Sequence, residues 1–141
     1  MIQMVYLSFA TMELKANLDE EITLILEEAV QHNSSVGITG ELIYRNGIFL
    51  QLLEGDKEDV EFILGKIFLD YKRHENLKVL MRQPMVERVF PDWSMAFVKV
   101  DDAAMDLVNS IVPWQTLISA SIENPVISSK DILNVFKQLR E

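Results

Sequence analysis

Apolar and polar positions alternate from Ile2 to Phe9, placing Met4, Tyr6 and Ser8 on one side and Val5, Leu7 and Phe9 on the other. Successive side chains of a strand point to opposite faces, so this segment reads as a central strand covered on both sides. After Asn17, a residue suited to capping a helix and followed three places on by Glu20, the period changes: Ile22, Ile25, Leu26 and Ala29 recur at helical spacing. Asn33 lies about three turns beyond Ile22, which carries an amide onto the same core-facing stripe.

Two apolar runs, Ile38 to Tyr44 and Ile48 to Glu54, flank Arg45-Asn46-Gly47, and Asn-Gly between such runs predicts a hairpin. With Asn46 and Gly47 as the turn residues, Tyr44 pairs near Phe49 and Leu42 near Gln51. Asp56 then opens a helix whose Val60, Ile63, Leu64, Ile67 and Tyr71 keep helical spacing. Leu77 to Met85 and Trp93 to Val100 complete the predicted strands. The order β-α-β-β-α-β, followed by one further strand, is the split βαβ arrangement of a ferredoxin-like sheet. The expected fold class is α+β, with two helices on one face of the sheet.

Beyond Asp101 the pattern predicts a helix from Asp102 to about Val112, stopped by Pro113. Another opens at the capping sequence Ser128-Ser129-Lys130-Asp131, with Ile132, Leu133, Phe136 and Leu139 as its stripe. Residues 1–100 thus read as the sheet unit and 101–141 as two C-terminal helices of the same compact unit, joined by a packed connection from Trp114 to Pro125.

Composition narrows the chemistry. The chain has 141 residues, 49% hydrophobic and 25% charged, which fits one compact domain. Its formal net charge is −9, and its basic residues are scattered apart from Lys72-Arg73-His74, so nucleic acid and anionic membrane are poor partners. The absence of cysteine removes disulfides, thiol catalysis and thiolate metal sites. No segment approaches the ~20 apolar residues of a membrane span, and a cytoplasmic protein is the expectation. Two histidines, His32 and His74, form no recognised metal spacing, and no nucleophilic triad is indicated. Gly37-Ile38-Thr39-Gly40 precedes a strand and opens no helix, so it reads as a tight turn and not as a phosphate cradle.

What remains is a set of polar residues on buried faces: Tyr6, Ser8, Asn33 and Gln51. Gln51 shares its strand face with Phe49 and Leu53, and an unpartnered buried amide costs roughly 1–3 kcal/mol. Either a backbone group at a β-bulge or a ligand should meet it, and the residues alone favour neither. A planar heterocycle edged with carbonyls and ring nitrogens would satisfy two amides, each offering donors and an acceptor.

The set Tyr6-x-Ser8, Asn33, Gly37-Ile38-Thr39-Gly40, Gly47-x-Phe49-Leu50-Gln51-x-Leu53-Glu54-Gly55, Asp70 with a basic cluster after it, and Phe90-x-x-Trp93-Ser94-Met95 resembles the BLUF domain, a blue-light sensor that uses flavin. The resemblance spans about Met4 to Val100. It implies a flavin ring held between the two helices, with FAD as the usual cofactor and FMN or riboflavin as other forms. By position, Tyr6 matches the tyrosine that gives an electron and then a proton to the excited flavin, and Gln51 the glutamine whose amide switches its hydrogen bonds by rotating or tautomerising. Asn33 matches the residue that fixes the flavin edge, with Ser8 near the tyrosine. Trp93 and Met95 match positions that carry the signal outward. The family pattern Asp-x-Arg-His is replaced by Asp70-Tyr71-Lys72-Arg73-His74, so the flavin contact falls to Lys72 or Arg73.

The expected function is that of a blue-light photoreceptor and not an enzyme. Output would pass to a partner protein or through self-assembly on an exposed sheet face or the C-terminal helices, because the residues after Val100 are too few for a catalytic domain. The alternatives are a ferredoxin-like interaction module without photochemistry and, behind it, a flavin-dependent oxidoreductase.

Overall fold

The computed structural model describes residues 1–140. Five strands, β1 (Ile2–Ala10), β2 (Thr39–Arg45), β3 (Ile48–Gly55), β4 (His74–Pro84) and β5 (Ala96–Lys99), form one sheet in the order β4-β1-β3-β2-β5. Neighbours are antiparallel except β2 and β5, which run parallel. The helices are α1 (Met12–Ala16), α2 (Leu18–Val36), α3 (Lys57–Leu69), α4 (Asp102–Ile111), α5 (Trp114–Ser119) and α6 (Ser129–Leu139). The ferredoxin-like α+β architecture and both expected C-terminal helices are present.

The two periods of the strands sort the core into two layers. Met4, Leu42, Phe49 and Leu53 pack with Ile22 of α2 and with Val60 and Ile63 of α3. From the same strands, Val5, Leu7, Ile43, Leu50 and Leu52 face the other way and pack with Met105, Val108, Leu117, Ile132, Val135 and Phe136 of the C-terminal helices. That second layer corrects the expectation of an exposed sheet face for self-assembly: among the described residues both faces are packed, because the amphipathic stripes of α4 and α6 need a partner and the sheet supplies it.

The hairpin turn uses left-handed backbone at both Asn46 (φ 44°) and Gly47 (φ 80°), as a two-residue turn of this hand requires. The register follows as the sequence predicts, with Tyr44 opposite Phe49 and Leu42 opposite Gln51. At Gly40 the strand passes so close to β3 that an added Cβ would lie 1.9 Å from the Leu52 carbonyl oxygen. Gly40→Ala is therefore expected to cost about 3 kcal/mol or more, because backbone and not a flexible side chain is in the way. An unchanged urea midpoint for that variant would contradict this packing.

Other departures have local causes. Helix α1 is capped by Thr11, whose Oγ1 accepts from Leu14 N at 3.1 Å, while Asn17 makes no capping bond with its side chain. With one buried residue, Leu14, the helix is too short to show a period. Helix α5 occupies the expected connection and starts after Pro113. Tyr71 lies beyond the end of α3 and is exposed, because Arg73 N and His74 N both donate to Asp70 O and turn the chain into β4. Strand β4 consequently begins at His74 and not at Leu77, and only Ala96–Lys99 of the last predicted strand pairs in the sheet.

Candidate functional site

Tyr6 of β1 and Gln51 of β3 are direct cross-strand partners, and Gln51 is flanked on its other side by Leu42 of β2. The three side chains line one cavity on the face covered by α2 and α3. Ile25 and Ala29 of α2 form one wall, and Ile63 and Ile67 of α3 form the other. Apolar walls flanking a polar floor make a slot suited to a flat ring.

The floor residues are held from behind. Ser8 Oγ and His74 Nδ1 are hydrogen-bonded at 2.8 Å, which fixes the imidazole beside Tyr6. Gln51 Nε2 donates to the Met95 sulfur at 3.2 Å, and a thioether is a weak acceptor, so most of this amide's hydrogen-bonding capacity is unspent. Strand β3 keeps an unbroken register against both neighbours, so no bulge meets the amide. Asn33 Nδ2 donates to Ser94 O at 3.0 Å, and Gly40 N donates to Trp93 O at 3.2 Å. The segment Trp93-Ser94-Met95 is thus tied to the site by three residues, although it lies outside the ladder.

The mouth of the slot is charged. Arg73 reaches Glu21 at 2.9 Å, Glu28 at 3.2 Å and Asp70 at 3.5 Å. Arg73, Asp70 and His74 all line the cavity; Lys72 does not, and borders a separate groove with Glu13, Glu21, Asp70 and Arg73. The single residue added between Asp70 and Arg73 is absorbed by the turn, so arginine and histidine both reach the site. Met95 is buried, while Trp93 is 46% exposed at the protein surface.

Electrostatics keep the inner groups neutral. Burial, and then the negative charge of Asp70, raise the pKa of the Tyr6 hydroxyl, so it stays a protonated phenol. Burial, and then the Arg73 charge, push His74 down to about 4. Asp70 is raised chiefly by burial, with Glu28 and Glu21 adding and Arg73 opposing.

The His74 shift sets a pH dependence. Its folded pKa lies below the unfolded value of about 6.5, so its contribution to stability is complete above that pH and is lost as pH falls toward 4. Urea unfolding of the wild type should weaken by about 2 kcal/mol more than that of His74→Gln between pH 6.5 and 4.5. Parallel pH profiles would show that His74 is not held neutral.

Three contributors were not singled out in the sequence. In the sequence His74 reads only as part of the basic cluster Lys72-Arg73-His74. His32 also lines the cavity, with its ring 5.6 Å from that of Phe62 and its Nε2 buried without a hydrogen-bond partner. Lys66 of α3 lines the slot as well. The i−1 position of His32 relative to Asn33 lies off the apolar stripe, and only the packing of α2 against α3 brings it to the cavity. An orphaned imidazole nitrogen, an underused amide and a phenol around a flat apolar slot fit the polar edge of an isoalloxazine ring.

The family model described as sensors of blue light using FAD, BLUF, matches residues 1–96. The chain belongs to the BLUF family. BLUF domains bind flavin, and FAD is the chromophore that defines them. The α subunit of photoactivated adenylate cyclase from Euglena gracilis is 33% identical over 100 residues, covering 71% of this chain and 10% of that protein. The corresponding β subunit is 30% identical over 116 residues, covering 82% of this chain and 13% of that protein. The chain therefore spans about a tenth of the length of the curated relatives it matches.

Among solved structures, BlsA in its photo-activated state superposes with a TM-score of 0.77 at 28% identity, covering 98% of this chain and 93% of that one. A bacterial light-regulated adenylyl cyclase gives 0.70 at 30% identity, covering 83% of this chain and 33% of that one. The BLUF match ends at residue 96, so α4 to α6 lie outside it.

Proposed function

We propose that this BLUF chain reports blue light through Tyr6 and Gln51 and passes the change to a partner protein through the segment Trp93 to Met95, without being an enzyme itself. The observation that supports this best is the direct pairing of Tyr6 with Gln51 on the floor of the slot, with the Gln51 amide bonded in turn to Met95. FAD is the proposed cofactor, with FMN or riboflavin as forms the same slot would take. Bound flavin supplies absorption in the blue and, once excited, a one-electron acceptor.

The residues do the rest. The phenol of Tyr6, buried and neutral, would be the residue able to lend an electron and then a proton to bound, excited flavin, with both returned to the phenol when the cycle closes. Gln51 answers by rotating or tautomerising, exchanging donor for acceptor at its amide. A reversed amide presents oxygen to the Met95 sulfur and loses that hydrogen bond, which frees the 93–95 segment on one side. Asn33, which lines the slot and spends its Nδ2 on Ser94 O, would help hold the ring edge through its remaining carbonyl oxygen. Ser8 positions His74, and Arg73 is placed better than Lys72 for contact with the ring. Residues 1–100 form the sensing unit and 101–141 the output unit.

Assembly through copies of this chain would use the outer surfaces of α4 to α6, since the sheet face beneath them is covered. No helix among the described residues is long and apolar enough to cross a membrane.

The test is the visible spectrum of the flavin-loaded protein in the dark, just after blue light, and after recovery. A small red shift without bleaching that then reverses is expected. Bound flavin without that shift would move the protein to a scaffold role, and steady NADH oxidation would mark it as an oxidoreductase.

A further inference from the structure

Glu41, in β2, is fully buried, and neither of its carboxyl oxygens has a hydrogen-bond partner. Its neighbour Leu42 faces the flavin slot, so alternation turns Glu41 to the opposite side of the sheet, where it sits beside Ala96 of β5. A lone buried carboxyl is costly in either protonation state, and burial pushes this one up to about 8. An apolar residue would be cheaper here, and the photochemistry makes no use of the acid.

The carboxyl borders a cleft of about 420 Å³ that also involves Asp92, Trp93, Met95 and, at the end of α6, Arg140. Arg140 donates through Nη1 to Val89 O at 3.0 Å, and none of its N–H groups is hydrogen-bonded to Glu41, whose two carboxyl oxygens stay without a partner. Trp93, half exposed, also lines the cleft, with its ring 5.7 Å from that of Phe90. Two carboxyl groups and an indole face are the elements that hold a cationic side chain, through charge-assisted hydrogen bonds and cation–π contact.

We propose that this cleft binds a basic side chain, arginine in preference to lysine, presented by the protein that receives the light signal. A guanidinium offers a planar fork to Glu41 while stacking on Trp93, and it is less strongly hydrated than an ammonium, so it is better suited to a buried acceptor. The net charge of −9 favours approach of such a partner. The role of that partner rests on the photoreceptor reading; the cation site does not. Met95 lines the cleft and also accepts the Gln51 amide, so one short segment borders both the docking site and the photochemical amide.

The probe is N-acetylarginine methylamide, titrated in the dark into the flavin-loaded full chain while NMR follows the side-chain carboxyl carbon of Glu41 and the indole N–H of Trp93. A saturable shift of both signals is expected. It should be at least tenfold weaker in Glu41→Gln, weaker with the lysine analogue, and absent with the uncharged citrulline analogue. Absence of saturation, or equal response in Glu41→Gln or with citrulline, would overturn the site. If Glu41→Gln does not fold, the wild-type carboxyl signal with arginine against citrulline decides alone. The blue-light spectral shift is recorded on the same samples: binding without a photocycle overturns the photoreceptor reading and leaves the site, whereas a photocycle without binding does the reverse.

Discussion

Tyr6→Phe is expected to abolish the reversible red shift while leaving the fold and flavin binding in place. The ring of Tyr6 is 1% exposed and packed, so phenylalanine fills the same space and the loss of one hydroxyl costs only about 1 kcal/mol. What disappears is the one oxidisable, proton-bearing group directly opposite Gln51. The benzene ring of phenylalanine is far harder to oxidise than a phenol and carries no acidic hydrogen, so the electron and the proton both lack a source. The absorption spectrum before and after blue light reads the result, with longer-lived flavin fluorescence as a second sign that the quenching donor is gone. A normal photocycle in this variant would refute the role given to Tyr6.

Glu54→Ala should be the most damaging change to stability, by about 3–5 kcal/mol. Glu54 is fully buried on the face of the sheet opposite the flavin slot. Its Oε2 accepts from Val89 N and from Gln3 Nε2, both at 2.7 Å, and its Oε1 accepts from Phe90 N at 2.8 Å. Gln3 extends the network, donating to Glu87 O and accepting from Gln83 Nε2, both at 3.1 Å. Alanine would leave the backbone N–H groups of Val89 and Phe90 without acceptors, each such buried donor costing roughly 1–3 kcal/mol, and would reduce the Gln3 amide to its bond with Glu87 O. Against a total of about 5–15 kcal/mol, that loss brings a domain close to unfolding at ordinary temperature. Urea denaturation measures it, and a midpoint within error of the wild type would show that the network is not buried as described.

The two variants separate the two faces of the sheet. Tyr6 and Gln51 face α2 and α3, whereas Glu54 anchors the 87–90 loop that leads into Trp93 and Met95. Under the proposed mechanism light would disturb the connection at Gln51 while Glu54 holds the other end of the loop, which would confine movement to the few residues between them. The cleft beside Glu41 lies at that short segment.

Much of this arrangement is legible in the chain itself. Alternation from Met4 to Phe9 assigned the two faces of β1, and Asn46-Gly47 set a register that places Leu42 beside Gln51, because strand period and turn geometry are local properties. The polar residues Tyr6, Asn33 and Gln51 stood out for the same reason, as interruptions of an apolar period. Other features depended on contacts distant in sequence. His32 and His74 became site residues only when α2 packed against α3 and the turn after Asp70 delivered Arg73 and His74 together. Met95 as the partner of Gln51 lies 44 residues away, and no spacing rule reaches across that separation. Glu41 and Glu54 have the same residue type and lie on neighbouring strands, yet one is unpartnered and the other accepts three hydrogen bonds. Local sequence determines which face a side chain occupies; what waits for it there is decided by chain returning from elsewhere, because hydrogen-bond partners and burial are properties of the packed whole.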